Sequence, residues 1–595
     1  MLIIIKKTHN KVKFVKESFY NNVTINSNGF KINIVGSVVN YSGLFETYFK
    51  NINFSEISIQ KLKIIASQIY TDIPGHYYII IFSHTQLFLI TDPYALLKLY
   101  YIEKNDELFL TDDYSEIIKI ENWNVNYEAL KYFFLRNYTP AKHTFIKNLY
   151  KCEPASVYLI TEGQWRNFYY LHEGKEDING QSFFIQMEND LRNHIQLHSS
   201  YFKKSSLFLS GGIDSTLLLY MYKNLHTKNN FKVLFGKMSG LDQKTMIDND
   251  FDFKFSKKMT NNIKSELEVL DYNYSDDNVI NDFYLIKKLL FNDYAISMGL
   301  HGFISKVDDE ACIISGQNAD SILSFGSLGH PKFQELKLVG LGGLVQRYDY
   351  FYKKNYLNPI YMLIRILFAL DYYINYKICP MKFSEEDFLV GLMLNPKNKP
   401  YFHNDHSYNF IKDIEGLKEW LLNEYINPIK DRFPEKSMHS LSVLLYLNSY
   451  MQGSANRSNV ASALFLKKNI FLPFTNLNLL NKMIRLKPDW RYVYYGKYPN
   501  ITISKRYLKI PNYILERSDP NDSDSTDLIY NTLLKNINFM KYIDAEFKKI
   551  NWEIYENVFN EEFFNQLRGT KEIKSNNISI ILKLIWVNTI INEFK

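Results

Sequence analysis

Between Leu207 and Tyr220 the chain reads Leu-Phe-Leu-Ser-Gly-Gly-Ile-Asp-Ser-Thr-Leu-Leu-Leu-Tyr, the stretch whose residue types point most directly to chemistry. A dense apolar run ends at Leu209, Ser210-Gly211-Gly212 reads as a tight turn, and a helix is expected from near Asp214. Two glycines let the backbone approach a phosphate with no Cβ in the way. The free N–H groups of the first helical turn then point at the anion, and the helix dipole favours it further. Ser210 and Ser215 add hydroxyl donors. No Gly-Lys-Ser/Thr follows, so the loop is not of the Walker type. The plain alternative is a Ser/Gly turn capped by Asp214, which would suit any strand–helix junction.

The segment Ser210-Gly211-Gly212-Ile213-Asp214-Ser215 resembles the pyrophosphate-binding loop of ATP pyrophosphatase enzymes in its asparagine-synthetase form. Downstream, Ile313-Ile-Ser-Gly-Gln-Asn-Ala-Asp-Ser is similar to a later strand and turn of the same family, with Asp320 at the place of its second magnesium-binding aspartate. The resemblance implies that Asp214 and Asp320 hold Mg²⁺, a hard, oxygen-seeking ion, against the triphosphate of ATP. The metal neutralises charge that builds on departing pyrophosphate. Alone, Asp320 could equally cap a helix. Ser315 and Gly316 join the nucleotide-binding set, and the backbone near Phe208 and Phe235-Gly236 would hold adenine.

Other runs follow the family in order. Gly75-His-Tyr-Tyr-Ile-Ile-Ile-Phe, Ile90-Thr-Asp-Pro-Tyr-Ala-Leu-Leu-Lys-Leu-Tyr-Tyr and Leu108-Phe-Leu-Thr-Asp-Asp-Tyr-Ser-Glu are similar to its glutaminase-like half. Pro140-Ala-Lys-His-Thr-Phe-Ile-Lys-Asn-Leu resembles the connector into the synthetase half. Asn456-Arg-Ser-Asn-Val-Ala-Ser-Ala and Phe471-Leu-Pro-Phe resemble a later helix and strand. The likeness spans about residues 30 to 520.

Departures limit what carries over. The family's glutaminase half begins, after Met removal, with a nucleophilic cysteine; position 2 here is Leu, and the nearest cysteine is Cys152. Without a thiolate, glutamine hydrolysis is not expected, and that half reads as a relic. Gln317 stands where ordinary asparagine synthetases have Glu, β-lactam-forming relatives Tyr and some lasso-peptide cyclases His. A neutral amide cannot take a proton from an incoming amine, so Gln317 is left to hydrogen-bond the acyl group or the nucleophile. The family lysine that stabilises the tetrahedral intermediate falls on Lys497, in Gly496-Lys497-Tyr-Pro, with Lys505 as the competitor. Either could instead be a solvated surface charge.

The elements that must position these residues are legible as two regimes. Residues 1–165 read mainly as strands, including Phe30 to Gly36, His76 to Phe82, Gln86 to Thr91, Lys98 to Ile102 and Glu107 to Thr111. A polar stretch around Leu171 to Gly180 reads as a linker. Phe184, Met187, Leu191 and Ile195 then recur at helical spacing. Strand Leu207 to Leu209, helix Thr216 to Lys223, strand Phe231 to Phe235, helix Ser256 to Ile263 and strand Glu266 to Leu270 alternate. Alternation of that kind predicts a parallel sheet covered by helices. The expected fold is α/β: an N-terminal glutaminase-like β-rich sandwich and a C-terminal doubly wound parallel sheet of the ATP pyrophosphatase type with a helical extension. The expected units are 1–165, a linker and helix at 166–195, the synthetase domain at 196–525 with a helical insertion at about 327–440, and helical residues 526–595. Phe351, Tyr352, Tyr356, Tyr361, Tyr372, Tyr373 and Tyr376 crowd the insertion, as helical core or as a pocket for a bulky substrate.

Composition narrows the class. Of 595 residues, 46% are hydrophobic and 22% charged, as in a globular chain. The net charge of +7 is too dilute to suggest nucleic acid or an anionic membrane. Cys152, Cys312 and Cys379 form no CxxC pair, which excludes a disulfide framework and a cysteine zinc cluster and suggests the cytoplasm. The N-terminus has its charge after its short apolar run, the reverse of a secretory signal. The most lipid-like stretch, Pro359 to Ile378, carries Arg365 and Asp371, so no membrane span is expected.

The function these features imply is an ATP-dependent, AMP-forming amide ligase with ATP and Mg²⁺ as cofactors. A small-molecule, sugar or peptide carboxylate is adenylated and then meets an amine or ammonia. The alternatives are a lasso-peptide or lactam-type cyclase, asparagine synthesis from ammonia, and a silent nucleotide-binding scaffold.

Overall fold

The computed structural model describes the chain apart from residues 1, 7–10, 17, 19, 21, 38–41, 119–122, 162–163, 224, 226–229, 241–242, 325–384, 395–409, 488–497, 512–524 and 593–595. Its N-terminal strands are Leu2–Lys6 (β1), Lys11–Lys16 (β2), Asn22–Ser27 (β3), Phe30–Gly36 (β4), Tyr77–Phe82 (β5), Leu87–Ile90 (β6), Tyr100–Lys104 (β7), Glu107–Thr111 (β8), Tyr150–Lys151 (β9), Ser156–Thr161 (β10) and Gln164–Tyr169 (β11). They form two antiparallel sheets, five-stranded β2-β1-β8-β7-β9 and six-stranded β11-β10-β6-β5-β4-β3. The interior strand β5, Tyr-Tyr-Ile-Ile-Ile-Phe, is buried along nearly its whole length, as a strand covered on both faces must be. Edge strand β3 keeps only Ile25 fully inside. The sheets meet through side chains: Tyr101 of β7 packs against Tyr158 and Trp165 of β10 and β11.

The second architecture is parallel. Ser205–Phe208 (β12), Phe231–Ser239 (β13), Leu267–Asn273 (β14), Cys312–Ile314 (β15) and Asn469–Phe471 (β16) pair in the order β14-β13-β12-β15-β16. Helix Ile213–Tyr222 follows β12, Gln243–Ile263 follows β13, Asn278–Leu290 and Met298–Ser305 follow β14, and Ala319–Ser324 follows β15. The order grows outward in both directions from β12. The connections from β12 and β15 therefore lead to opposite sides of the sheet, the arrangement that leaves a crevice at the carboxyl ends of those two strands.

Helix Ile578–Asn592 is apolar all round and correspondingly buried. Its Trp586 is fully enclosed and donates Nε1–H to the carbonyl of Phe291, 2.8 Å away. No described helix is long and apolar enough to cross a membrane.

The chain is thus α/β, antiparallel at its N-terminus and parallel beyond. Strands β4 and β8 coincide with the sequence reading; several bounds do not. Leu2–Lys6 is an interior strand between β2 and β8, where only its charge order had been informative. Strand β7 begins at Tyr100 rather than Lys98, because Tyr94 to Leu99 turn inward and are buried without strand pairing. Strand β14 runs on to Asn273, and helix Gln243–Ile263 starts well before Ser256, its polar first half showing no clear period. Strand β11 carries the sheet past residue 165. Cys379, the Pro359 to Ile378 stretch and the tyrosines of the insertion lie outside the described residues.

Candidate functional site

Strand β12 ends at Phe208, and the chain turns through Gly211 at φ +73°, a left-handed conformation glycine adopts without strain. Gly212 is the N-cap of helix Ile213–Tyr222 and, being glycine, brings no side chain to cap the first-turn amides. Asp214 sits in that first turn and is not the cap. The loop is tied instead by its serines. The backbone N–H of Ser210 donates to Ser215 Oγ at 3.3 Å, and Ser215 Oγ donates to the Gly212 carbonyl at 3.2 Å. Capping by Asp214, the plain alternative for this turn, is therefore not what the loop does.

The second turn lies against the first. A Cβ on Gly316 would stand 3.1 Å from the backbone nitrogen of Ser215 and 3.4 Å from the carbonyl carbon of Asp214. Strands β12 and β15 are paired neighbours, so Ser210 to Ser215 and Ser315 to Asp320 emerge side by side. Asp320 occupies the first turn of helix Ala319–Ser324.

Between these turns opens a cavity of about 430 Å³, within the range of small-molecule sites. Phe208, Ser210, Gly212, Asp214, Ser215, Phe235, Gly236, Ser315, Gly316, Gln317 and Asp320 all line it. Gly211 shapes the turn without lining the cavity. Lys497 lies outside the described residues, and Lys505 is exposed, its helical turn following Tyr498–Ile503.

Three carboxylates, Asp214, Asp252 and Asp320, line the cavity, and no described lysine or arginine does. Among the described residues no three His, Cys, Asp or Glu side chains stand close enough together to hold a metal ion by themselves; Asp214 and Asp320 offer the carboxylate oxygens that a hard divalent cation such as Mg²⁺ takes, its remaining positions falling to water and phosphate. Asp214 is oriented from outside: its Oδ1 accepts a hydrogen bond from Asn500 Nδ2 at 2.5 Å, and Asn500 is 1% exposed.

The β13 side of the cavity is apolar, with Phe235, Met238, Leu300 and Phe303 beside Gly236. Gly236 is there of necessity, since a Cβ would stand 2.5 Å from the Phe303 ring. The opposite side is amide-rich. Asn456 Nδ2 donates to Asn318 Oδ1 at 2.9 Å, and Asn318 Nδ2 donates to the Phe474 carbonyl at 3.0 Å. Tyr450 completes that wall. Burial, aided by the nearby Asp320 carboxylate and opposed in part by Arg136, holds its phenol above the ordinary value, so it stays a neutral donor.

The antiparallel part braces this wall. Lys98 donates to Gln452 Oε1, and Arg457 donates to Asp293 and, at 3.0 Å, to the Tyr100 hydroxyl. Arg457 is thus turned toward β7, whereas its neighbours Asn456 and Asn459 line the cavity. The described cysteines, Cys152 and Cys312, are buried with their thiols pushed up by burial, so neither presents a reactive thiolate.

Sequence reasoning missed Asp252, Asn318, Leu300, Phe303, Tyr450 and Asn500. Asn456 and Asn459 stood in a run quoted only for its likeness; their spacing of three along helix Ser454–Phe465 was the available signal. Asp252 carried none, being one acid in a polar helix.

No family model matches the chain, and no curated protein matches it. Among solved structures, one described as the structure of the allosteric regulatory enzyme of purine biosynthesis is similar at 9% identity, over 42% of this chain and 62% of that one. This chain therefore spans less than two thirds of that neighbour. The TM-score is 0.17, and the likeness carries no argument about fold or activity.

Proposed function

We propose that the chain is an ATP-dependent, AMP-forming carbon–nitrogen ligase of the asparagine-synthetase type. The observation that carries this reading is the meeting of the Ser210 to Ser215 loop and the Ser315 to Asp320 turn at the switch point of a parallel sheet. On this reading the parallel half is an ATP pyrophosphatase domain and the antiparallel half a glutaminase-like domain without its thiol.

The first-turn amides after Gly212, with Ser210 and Ser215, bind the triphosphate. Asp214 and Asp320 would hold Mg²⁺, which when bound would offset charge on the leaving pyrophosphate. A carboxylate oxygen of the substrate attacks the α-phosphorus, its bond to pyrophosphate breaks, and an acyl-adenylate forms. An amine then adds to the acyl carbon, loses a proton and expels AMP. Activation is required because a carboxylate is a poor electrophile with a poor leaving group. Gln317, exposed at the cavity, positions the acyl group or the amine without taking the proton.

The test is pyrophosphate release from Mg-ATP across a panel of sugar, peptide and small-molecule carboxylates, with ammonia and amines. Asp214→Asn is expected to lower substrate-dependent release by at least about 100-fold while leaving the circular-dichroism spectrum intact. Full release by that variant would sink the assignment. Nucleotide binding with no release on any substrate would favour the scaffold alternative.

A further inference from the structure

We propose that the Tyr450 hydroxyl donates a hydrogen bond to the acyl oxygen of the substrate and holds the oxyanion that forms as the amine adds. The inference rests on the ligase reading above. It goes beyond that reading by giving the acyl oxygen, which neither loop accounts for, to a residue of the amide-rich wall.

Topology separates the two ends of the bound nucleotide. The phosphate loop leaves β12, with β13 on one side of it and β15 on the other. The slot of Phe235, Gly236 and Phe303 lies on the β13 side and would take the base by stacking. The acyl group then meets the α-phosphorus from the β15 side. Gln317, Asp320 and Ser321 follow β15 and line the cavity there. Asn456 joins them through its bond to Asn318, and the Tyr450 hydroxyl joins them beside Ser321.

The Tyr450 ring is held in place by its own surroundings. It packs edge-on against Tyr138 and Tyr446, 6.2 Å from each, at 62° and 79°. Gly453 closes the same turn: its N–H donates to the Tyr450 carbonyl at 3.1 Å, and a Cβ there would stand 3.2 Å from the Tyr138 ring. At the ring's far end the Tyr450 and Ser321 hydroxyls face each other. Two hydroxyls hold two protons, and a mutual hydrogen bond uses one, leaving the other for an acceptor in the cavity. An oxygen that gains negative charge during the reaction is the acceptor such a preplaced donor stabilises most. Burial keeps the phenol protonated, so it donates a hydrogen bond and does not take the proton of the amine.

In the step served, the amine nitrogen bonds to the acyl carbon and the carbonyl π pair moves onto oxygen. As that pair returns, the carbon–oxygen bond to AMP breaks. The amine proton leaves to a phosphate oxygen of AMP or to water, and Tyr450 keeps its own.

The experiment compares the two half-reactions in the full chain and in Tyr450→Phe. Adenylation is read as carboxylate-dependent exchange of labelled pyrophosphate into ATP. Glucuronate, aspartate and triglycine serve as carboxylates of the sugar, small-molecule and peptide classes. Amide formation is read as product with saturating ammonia. Tyr450→Phe is expected to slow amide formation about 100-fold or more while exchange changes by less than about tenfold. Should the phenylalanine protein melt early, the ratio of the two rates still reports on the hydroxyl, because both come from the same folded molecules. An unchanged ratio overturns the proposal. Equal loss of both rates does so as well, because the hydroxyl then serves adenylation or the wall and not the oxyanion. Absence of exchange with every carboxylate in the unaltered protein would remove the ligase reading along with this one. Exchange with a ratio independent of Tyr450 removes only this one.

Discussion

Gly236→Ala is the smallest change that tests whether the apolar slot beside β13 holds the base. The added Cβ would stand 2.5, 2.7 and 3.0 Å from three carbons of the Phe303 ring. Carbon–carbon contacts are comfortable at about 3.5 Å or more, so the ring must retreat by about 1 Å. Gly236 has no left-handed backbone to protect, so the effect is packing alone. Overfilling of this kind costs about 1 to 3 kcal/mol when the neighbour cannot move freely. Phe303 is 9% exposed and belongs to helix Met298–Ser305, which packs on the sheet, and its ring also lines the cavity, so the space left to it is the slot itself. Moving a slot wall by about 1 Å should raise the KM for ATP about tenfold, with a larger effect on turnover if the nucleotide is tilted. The assay is substrate-dependent pyrophosphate release against ATP concentration, beside a denaturant melt. Phe303→Leu on top of Gly236→Ala should recover stability and part of the ATP affinity. A Gly236→Ala protein with unchanged melt and unchanged ATP dependence would refute the packing argument. An early melt with ATP dependence intact would place the base elsewhere.

Two further outcomes follow from particular contacts. Asn500→Leu removes the donor that orients Asp214 and should raise the Mg²⁺ concentration for half-activation about 10- to 100-fold without unfolding the protein; identical magnesium curves would refute the positioning role. Burial pushes His76 and His194 down to about 3 and His439 to about 4, so each stays neutral in the folded state while the unfolded imidazole protonates near pH 6.5. Stability is then lost as pH falls from about 6.5 toward about 4, at up to about 1.4 kcal/mol per pH unit for each histidine. His143, likewise pushed down to about 3 by burial, adds to this loss, and Asp92, pushed up to about 7 by burial, acts in the opposite sense over the same window and offsets the share of one histidine. A chemical-denaturation midpoint that stays flat from neutral pH to about pH 5 would contradict this.

Some of this protein was written locally in its residues. The dense run Leu207 to Leu209, the two glycines after it and the apolar helix beyond demanded a strand, a turn and a helix in that order, because each signal acts within a few residues. The same holds for Phe30 to Gly36 and Glu107 to Thr111, whose apolar runs stop where the strands stop. Glutamine at 317 and aspartate at 214 and 320 fixed the available chemistry before any fold was known, since donor and acceptor groups and ligand hardness belong to the residue type. Other features belonged to the tertiary structure alone. The strand Leu2–Lys6 could not be distinguished from a loose apolar terminus until β2 and β8 paired with it from both sides. Asp252, Asn318, Phe303 and Asn500 are separated from the phosphate loop by tens to hundreds of residues, and only the order β14-β13-β12-β15-β16 brings their elements to one crevice. Gly236 read as the end of an apolar strand, and its necessity became visible only when the Phe303 ring closed over it. Arg457 shares a helix with Asn456 and Asn459, yet buried pairing with Asp293 turns it toward Tyr100, away from the cavity its neighbours line. Local sequence sets which conformations are cheap; proximity between distant residues, and the protonation states that burial imposes, come from long-range strand pairing and packing, which no local pattern encodes.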